Sequence, residues 1–233
     1  MLKDIKLLYG LKLSATDCDI GHVKDFLFDD QSWHLRYLVA DTGRWLVERQ
    51  VLLSRQAFSV DALSDVQPNA VHLHVNLTRE QIEAAPSIDT HRPVSRQFES
   101  AYFQYYGWPN YWDGGLLGAV GLPAFIQPPP PKGSLHHGHN QRDDLHLRST
   151  RAITGYTLQA TDGPLGTVSG FIVDGKNWTL RGLIIETGTW FSGKMIHLPV
   201  SDVARISYEE STVFVNLTTA DVEHPAGQEL SPA

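Results

Sequence analysis

Hydrophobic and polar residues alternate along several short segments of this chain. The strictest case is VHLHVNL, residues 71–77, in which valine and leucine occupy every second position. Successive side chains of a β-strand point to opposite faces of its sheet. The pattern therefore predicts a strand that buries its valines and leucines and leaves its histidines and asparagine in water.

Further segments of this kind occur at residues 22–28, 33–42, 167–173, 178–187 and 212–217. They are short, rich in β-branched and aromatic residues, and bounded by Gly, Asp and Asn. The intervening sequences DDQS and DGKN have the composition of hairpin turns. Together they predict meanders of five or six strands, which in so short a length indicate a small closed or nearly closed barrel.

The chain contains an internal repeat. Shifting it by 145 residues aligns residues 10–45 with residues 155–190 without a gap, and 16 of the 36 pairs are identical. Similarity returns at residues 71–83 and 212–223 with an offset of 140, so the first copy has a longer loop. The repeat predicts two units of the same topology, with Trp33 and Trp178 at equivalent positions.

Each unit ends in a helix signal. Thr78 with Gln81 forms a capping-box pattern, Thr218 with Asp221 is a weaker version, and a proline follows each at residues 86 and 225. We therefore expect a first barrel at residues 5–86, a linker at residues 87–150 and a second barrel at residues 151–225. The predicted fold class is all-β, with two small barrels in tandem and a partly helical linker rich in aromatic residues and proline.

The order of motifs resembles a known family. T-D-x-x-x-G near the start, D-x-x-x-W, L-R-x-L, T-G and a closing N-L-T helix are similar to the PRC-barrel, named after the H subunit of the photosynthetic reaction centre. The resemblance covers residues 5–86 and 151–225. It implies a docking module, as in that subunit and in a ribosome maturation factor. The chain lacks the transmembrane helix of the former and has no room for the preceding domain of the latter, so neither specific role is expected.

Charge and hydropathy narrow the classes of partner. The formal net charge is −7 and the pI about 5.8, which disfavours nucleic acid and anionic membrane surfaces. The longest apolar stretch, residues 114–126, is too short for a membrane helix and contains Pro123, so no membrane insertion is expected. The N-terminus lacks the pattern of a secretory signal, and the single cysteine, Cys18, favours the reducing cytoplasm.

The linker has no counterpart in the repeat. Ser95 is placed to cap a helix whose apolar stripe contains Phe98, and Gly107 is placed to end it. The aromatic cluster has two interpretations, packing against the barrels or binding a partner, and the two can coexist. Downstream, four prolines at residues 128–131 indicate a stiff spacer. The candidate interface residues are Tyr102, Tyr105, Tyr106, Trp108, Tyr111 and Trp112.

Other residues could suggest chemistry. Histidines cluster at residues 136, 137 and 139 with His146 nearby, but in a polar segment without the fixed geometry of metal ligands, so we expect no metal and no cofactor. Cys18 and His22 are close enough in sequence to suggest a nucleophilic thiol and its general base. The equivalent residues of the second copy are Gly163 and Thr167, so the repeated fold does not require this pair. No nucleophile elbow, P-loop, zinc-protease or dinucleotide motif is present in the sequence.

The polar residues common to both copies are expected to be structural. The shared aspartates are typical of turns, and Asp29 is placed to form a cross-strand ion pair with Arg36. The shared glycines are typical of β-bulges. We expect the shared tryptophans to fill or cap each barrel. These residues are Asp17, Asp29, Arg36, Asp162, Asp174, Arg181, Gly21, Gly166, Trp33, Trp45, Trp178 and Trp190.

The sequence therefore predicts a non-enzymatic scaffold or assembly module. It would bind a protein partner, or a second copy of itself, through the barrel surfaces and the linker aromatics. The alternative is a regulatory protein that responds to a small ligand or a metal in the cleft between the barrels.

Overall fold

A computed structural model gives the architecture, which is mostly β-sheet. It describes residues 1–43, 46, 51–67, 70, 72–85, 96–108, 146–188 and 194–223, with the backbone alone at 96–100 and 223. In chain order the strands are β1 (Leu2–Asp4), β2 (Lys12–Ser14), β3 (Asp19–Asp29), β4 (Leu35–Asp41), β5 (Val51–Ser54), β6 (His72–His74), β7 (Leu147–Ser149), β8 (Thr157–Gln159), β9 (Pro164–Asp174), β10 (Thr179–Thr187), β11 (Met195–Pro199), β12 (Val203–Ser207) and β13 (Thr212–Val215). The α-helices are α1 (Arg79–Ala84), α2 (Arg96–Tyr106), α3 (Thr150–Ile153) and α4 (Thr219–Glu223).

The strands form two sheets that share an order of five strands, as the repeat predicts, and sheet two has one more described strand, β12, at its edge. Sheet one runs β5-β4-β3-β2-β6 and sheet two runs β11-β10-β9-β8-β13-β12. In each, one pair is parallel, β2 with β6 and β8 with β13, and the other neighbours in these orders are antiparallel. Within the described part of the chain, the first and last strands of each sheet do not form hydrogen bonds with each other. The predicted closed barrels are therefore not seen there.

The segment just before each unit contributes a strand to the other unit's sheet. The N-terminal strand β1 pairs with β9 of unit two, with Leu2 opposite Asp174. Strand β7, which precedes unit two, pairs with β3 of unit one, with Leu147 opposite Asp29. Leu2 and Leu147 are 145 residues apart, as are Asp29 and Asp174, so the two pairings are equivalent. The exchange is reciprocal and relates the units by a pseudo-two-fold axis.

A second pair of equivalent contacts joins the hairpins that follow β3 and β9. The backbone N–H of Leu35 donates to the carbonyl of Trp178 at 2.7 Å, and that of Leu180 donates to the carbonyl of Trp33 at 2.8 Å. An antiparallel bridge between His34 and Thr179 lies between them. Both tryptophans have left-handed backbones, with φ of 60° at Trp33 and 53° at Trp178. Their equivalent positions, predicted from the repeat, are confirmed.

The two units share one hydrophobic core. The rings of Phe28 and Phe171, one from each unit, have centroids 5.7 Å apart. Trp178 is fully buried and its ring lies 5.1 Å from that of Phe58 in unit one. Trp33 is half-buried and stacks on Phe28, whereas Trp45 and Trp190 lie outside the described residues. Because burying one such side chain contributes roughly 1.5–3 kcal/mol, this shared core ties the units together.

The longer loop of unit one adds an asymmetric contact. The ammonium group of Lys3, on the exchanged strand β1, donates to the carbonyls of Leu63 at 3.0 Å, Ser64 at 2.7 Å and Val66. Burial lowers the pKa of Lys3, and the charge of Asp65 opposes that shift. Strand β1 is therefore bonded both to the loop of unit one and to the sheet of unit two.

Asp17 and Asp162, which are common to both copies, have structural roles, as predicted. The carboxylate of Asp17 accepts from the N–H of Arg79 at 2.9 Å at the start of α1, and Asp162 accepts from the N–H of Thr219 at 2.8 Å at the start of α4. Side-chain and backbone hydrogen bonds from Thr219 lower the pKa of Asp162. The capping box of Thr78 and Gln81 is also present. The predicted alternation of residues 71–77 is confirmed for residues 72–77.

Asp29 organises the hairpin of unit one. One carboxylate oxygen accepts from the N–H groups of Gln31 at 3.1 Å and Ser32 at 2.8 Å, and the other accepts from the guanidinium of Arg36 at 2.7 Å. Burial opposes ionisation of this carboxyl, but the bonds from Ser32 and Arg36 outweigh it and lower the pKa of Asp29. The predicted Asp29–Arg36 ion pair is confirmed, and Asp174 and Arg181 form a longer equivalent at 3.5 Å.

Helices contribute little to the architecture. The longest described helix has 11 residues, and no helix in the described part of the chain is long and apolar enough to cross a lipid bilayer.

Replacing Gly21 with alanine should destabilise the protein by about 3 kcal/mol or more. Gly21 has φ +129°, and a Cβ there would lie 2.0 Å from the carbonyl oxygen of Asp41. Gly21 and its equivalent, Gly166, each sit beside a register shift, as predicted. The control is Gly163→Ala, where nothing lies within 4 Å. Chemical denaturation measures both, and equal stabilities of the two variants would contradict this account.

Asp29→Asn should lower stability at neutral pH by about 1–3 kcal/mol, because it removes the charge-assisted bond to Arg36. The pKa of Asp29 is depressed in the folded state, so its contribution is full above the ordinary aspartate pKa and is lost as pH falls through the folded value. The stability difference between wild type and variant should therefore shrink in acid. Urea titrations at several pH values test this, with the exposed Asp61→Asn as control; a difference independent of pH would count against it.

Candidate functional site

Helix α2 confirms the helix predicted in the linker. It ends at Tyr106, and Gly107, with φ +67°, follows as the glycine predicted to end it. The N–H of Gly107 donates to the carbonyl of Gln104 at 3.2 Å, and that of Trp108 donates to Phe103 at 2.9 Å, which is the Schellman arrangement. Ser95 lies outside the described residues, as does the side chain of Phe98. The turn fixes Trp108 against the last turn of the helix.

Helix α2 packs on the outer face of sheet one. Tyr37 and Val39 of β4 and Leu52 of β5 are buried there against Tyr102 and Phe103, in a cluster separate from the shared core. Strand β4 is thus covered on both faces, which explains its nearly continuous apolar sequence. Phe103 was not among the predicted site residues, because it lies one position after Tyr102, off the stripe used to identify the helix.

Tyr102 is an anchor rather than a surface residue. Its ring is buried and meets that of Tyr37 edge-on at 5.9 Å. Its hydroxyl donates to the carbonyl of Leu52 at 2.8 Å and accepts from the N–H of Ser54 at 3.2 Å. Burial raises the pKa of Tyr102, as expected for a hydroxyl held among backbone groups. The linker helix therefore completes the hydrogen bonding of β5, an edge strand.

Tyr105, Tyr106 and Trp108 form what we call the aromatic rim. Tyr105 is 43% exposed, and its ring centroid lies 4.8 Å from that of Tyr106. Tyr106 stacks on Trp108 at 4.5 Å with an interplanar angle of 17°. The hydroxyls of both tyrosines donate to the carbonyl of Gln81, at 3.2 and 3.3 Å, which ties the rim to α1. Burial raises the pKa of Tyr106, and Tyr105 contributes in the same direction.

The six predicted interface residues are thus distributed unequally. Tyr102 is internal, the three residues of the aromatic rim are half-buried or exposed, and Tyr111 and Trp112 lie outside the described residues. The interpretation as internal packing describes Tyr102. The interpretation as an interface applies to the rim and stays a prediction.

His146 is the one described member of the predicted histidine group. Its Nδ1 lies 2.9 Å from a carboxylate oxygen of Asp30, whose other oxygen accepts from Nε of Arg148 at 2.7 Å. The three residues join β7 to the hairpin of unit one. Residues 136, 137 and 139 lie outside the described residues. Within the described part of the chain, no three His, Cys, Asp or Glu side chains lie close enough together to hold a metal ion.

Cys18 and His22 do not form a nucleophile and base in the described contacts, where no hydrogen bond joins their side chains. Cys18 is a free thiol that packs partly against the shared core. Its carbonyl accepts from the N–H of Ala15 at 2.8 Å, and Gly163 makes the same contact with Ala160 in unit two. The position thus serves a turn in both copies.

Tyr102→Phe should destabilise the protein by about 1–3 kcal/mol, because it leaves the buried N–H of Ser54 and carbonyl of Leu52 without the hydroxyl. Tyr105→Phe removes a hydroxyl that bonds at the exposed surface, so its cost should be below about 1 kcal/mol. Thermal and urea unfolding of the two variants test the difference. A Tyr102 variant as stable as the Tyr105 variant would show that the hydroxyl of Tyr102 does not hold the helix to β5.

Comparison with known proteins adds no identification. A scan against protein-family models gives no match, and a search of curated proteins gives none either. The resemblance to the PRC-barrel thus stays a prediction from the sequence.

Proposed function

We propose that the protein is a non-enzymatic scaffold that binds another protein, or a second copy of itself, through the aromatic rim. The observation that carries the proposal is the exposure of Tyr105 beside the stacked pair of Tyr106 and Trp108. Tyrosine and tryptophan are enriched at the energetic centres of protein interfaces. They supply a large contact area at a small cost in conformational entropy.

The anchoring of the rim supports this role. Tyr102 fixes α2 to sheet one, the Schellman turn fixes Trp108, and the bonds to Gln81 fix the two tyrosine rings. A surface held in its binding geometry loses little entropy when a partner docks, which increases affinity. The aromatic residues are therefore suited to recognition.

The roles of the repeated residues also support a binding module. Asp17, Asp29 and their equivalents in unit two bond to helix starts and hairpin turns. The resemblance to the PRC-barrel implies docking as well. On this proposal the duplicated part supplies a rigid body, and the unrepeated helix supplies the contact.

The test is the double variant Tyr105→Ser/Trp108→Ala, with Tyr208→Ser as the matched control. Tyr208 is 66% exposed on the turn before β13, far along the chain from α2. Self-association is measured by sedimentation, and partner capture by quantitative mass spectrometry of proteins retained by the purified chain. Loss of hot-spot residues costs about 2 kcal/mol or more, so the double variant should weaken association about 30-fold or more.

The control should retain association, and its thermal midpoint should match that of the wild type. If the double variant keeps every association of the wild type, the rim is not the interface. If both variants lose association equally, the effect is not specific to the rim. A folded double variant is verified by its circular dichroism spectrum before either comparison is made.

A further inference from the structure

The aromatic rim contains ring planes that stand almost at a right angle to each other. The rings of Tyr105 and Tyr106 meet edge-on with an interplanar angle of 82°, and Trp108 lies nearly parallel to Tyr106. Both tyrosine hydroxyls donate to the carbonyl of Gln81, which holds the rings in this arrangement. Tyr105 is exposed, and Tyr106 and Trp108 are half-buried, so each side chain keeps surface that a ligand can contact.

This arrangement suits a ligand in the polyproline II conformation. Proline-rich segments in that conformation dock on surfaces lined by aromatic side chains. A run of prolines has no backbone N–H groups and offers only carbonyl acceptors, so its binding surface must supply the donor. The indole N–H of Trp108 is a donor of this kind. The rim therefore combines apolar ring surface with the type of polar group that a proline run requires.

The chain itself carries a proline run of this type. Pro128–Pro131 occur in the sequence IQPPPPKG and lie outside the described residues. The chain leaves the rim at Trp108, and 19 residues separate Trp108 from Pro128. Fully extended, these would span about 65 Å, which is ample for the run to return to the rim. Because a proline run is already restricted to polyproline II, it loses little conformational entropy on binding.

Charges beside the rim agree with this ligand. Lys132 follows directly after the four prolines. Helix α1, to which the rim is bonded at Gln81, exposes Glu80 and Glu83 against one arginine, Arg79. Opposite charges at the edge of an apolar contact favour one orientation of the ligand. A proline run followed by a basic residue is therefore complementary to this end of unit one.

We propose that the aromatic rim binds the segment Pro128–Pro131 of its own chain. This rests on the proposed function, because both require the rim to be a binding surface, and it adds the chemistry that the rim recognises. A protein partner that uses the rim then competes with this segment. The segment thereby sets the affinity that a partner needs.

The probe is the acetylated and amidated peptide IQPPPPKG, which copies residues 126–133. It is titrated by NMR into the full chain and into a full-length variant with all four prolines replaced by serine. The serine variant should bind the peptide with a Kd of about 0.1 mM. The wild type should bind it about tenfold more weakly, because a tether of this length gives its own segment an effective concentration of about 1 mM. A peptide with serine in place of each proline should bind neither protein.

Two further substitutions, each made in the serine variant, locate the site. Tyr105→Ser removes the exposed ring of the rim and should weaken peptide binding about tenfold or more. Tyr208→Ser removes an exposed tyrosine of unit two and should leave the affinity unchanged. The largest changes in chemical shift should occur at the amide of Gly107 and the indole N–H of Trp108.

Four results would overturn the proposal. They are no binding of the peptide to the serine variant up to about 1 mM, undiminished binding after Tyr105→Ser, equal affinity of the wild type and the serine variant, and a wild type that sediments as a dimer when the serine variant is a monomer. Equal affinity would show that the rim is open in the wild type and available to a proline-rich segment of another protein. A dimer would assign the segment to a second copy.

The proposed function is judged separately. If the peptide does not bind but Tyr105→Ser/Trp108→Ala loses association, the rim is a protein interface that does not recognise the proline segment. If the peptide binds the rim and the same double variant keeps every association, the rim recognises the segment and is not the interface for another protein.

Discussion

The reciprocal pairing of β1 with β9 and of β7 with β3 is the constraint on which the rest of this structure depends. A buried backbone N–H or carbonyl requires a hydrogen-bond partner, and each sheet obtains some of these partners from the strand that precedes the other unit. The hairpin contacts between Leu35 and Trp178, and between Leu180 and Trp33, lie on the same pseudo-two-fold axis. The two copies are therefore halves of one folding unit, with a common core containing Phe28 and Phe171.

Duplication on this scaffold left the two outer faces free to differ. On unit one, Tyr37, Val39 and Leu52 are covered by α2. On unit two the equivalent positions hold Gly182, Ile184 and His197, which cannot form the same aromatic cluster. Selection for the shared core and the hairpin contacts would keep the sequences of the two copies similar at those positions. Residues on the outer faces of the two sheets are not held by these contacts and can differ. The aromatic rim lies on the helix that covers the outer face of sheet one, in a segment that has no counterpart in the repeat.

The sequence predicts the local features of the fold well. The repeat, the capping box at Thr78, the ion pair of Asp29 with Arg36 and the bend at Gly21 each depend on residues near one another or on direct comparison of the copies. Helix α2 was also predictable, because its stripe ends at a glycine. These features have short-range physical causes, which a sequence displays directly.

The strand exchange was not predictable in the same way. Strand β1 has three residues, too few for a period, and nothing in its sequence distinguishes pairing with β9 from pairing with its equivalent, β3. The hydrogen bonds of Arg55 to the carbonyls of Lys176 and Asn177, 121 and 122 residues away, and the packing of Phe103, which the stripe did not include, were not predictable either. The closed barrel inferred from strand number is not seen among the described strands, because the number of strands alone does not specify whether the edges of a sheet meet.

The position of β1 also determines the order in which this protein can mature on the ribosome. Leu2 is synthesised 172 residues before its partner Asp174. At about 5–20 residues per second, the N-terminal strand waits roughly 10–30 seconds for the sheet that receives it. During that interval β3 lacks β7 and presents an unpaired edge to other nascent chains, a position in which strands are prone to aggregate. Slower translation would lengthen the interval during which this edge is unpaired.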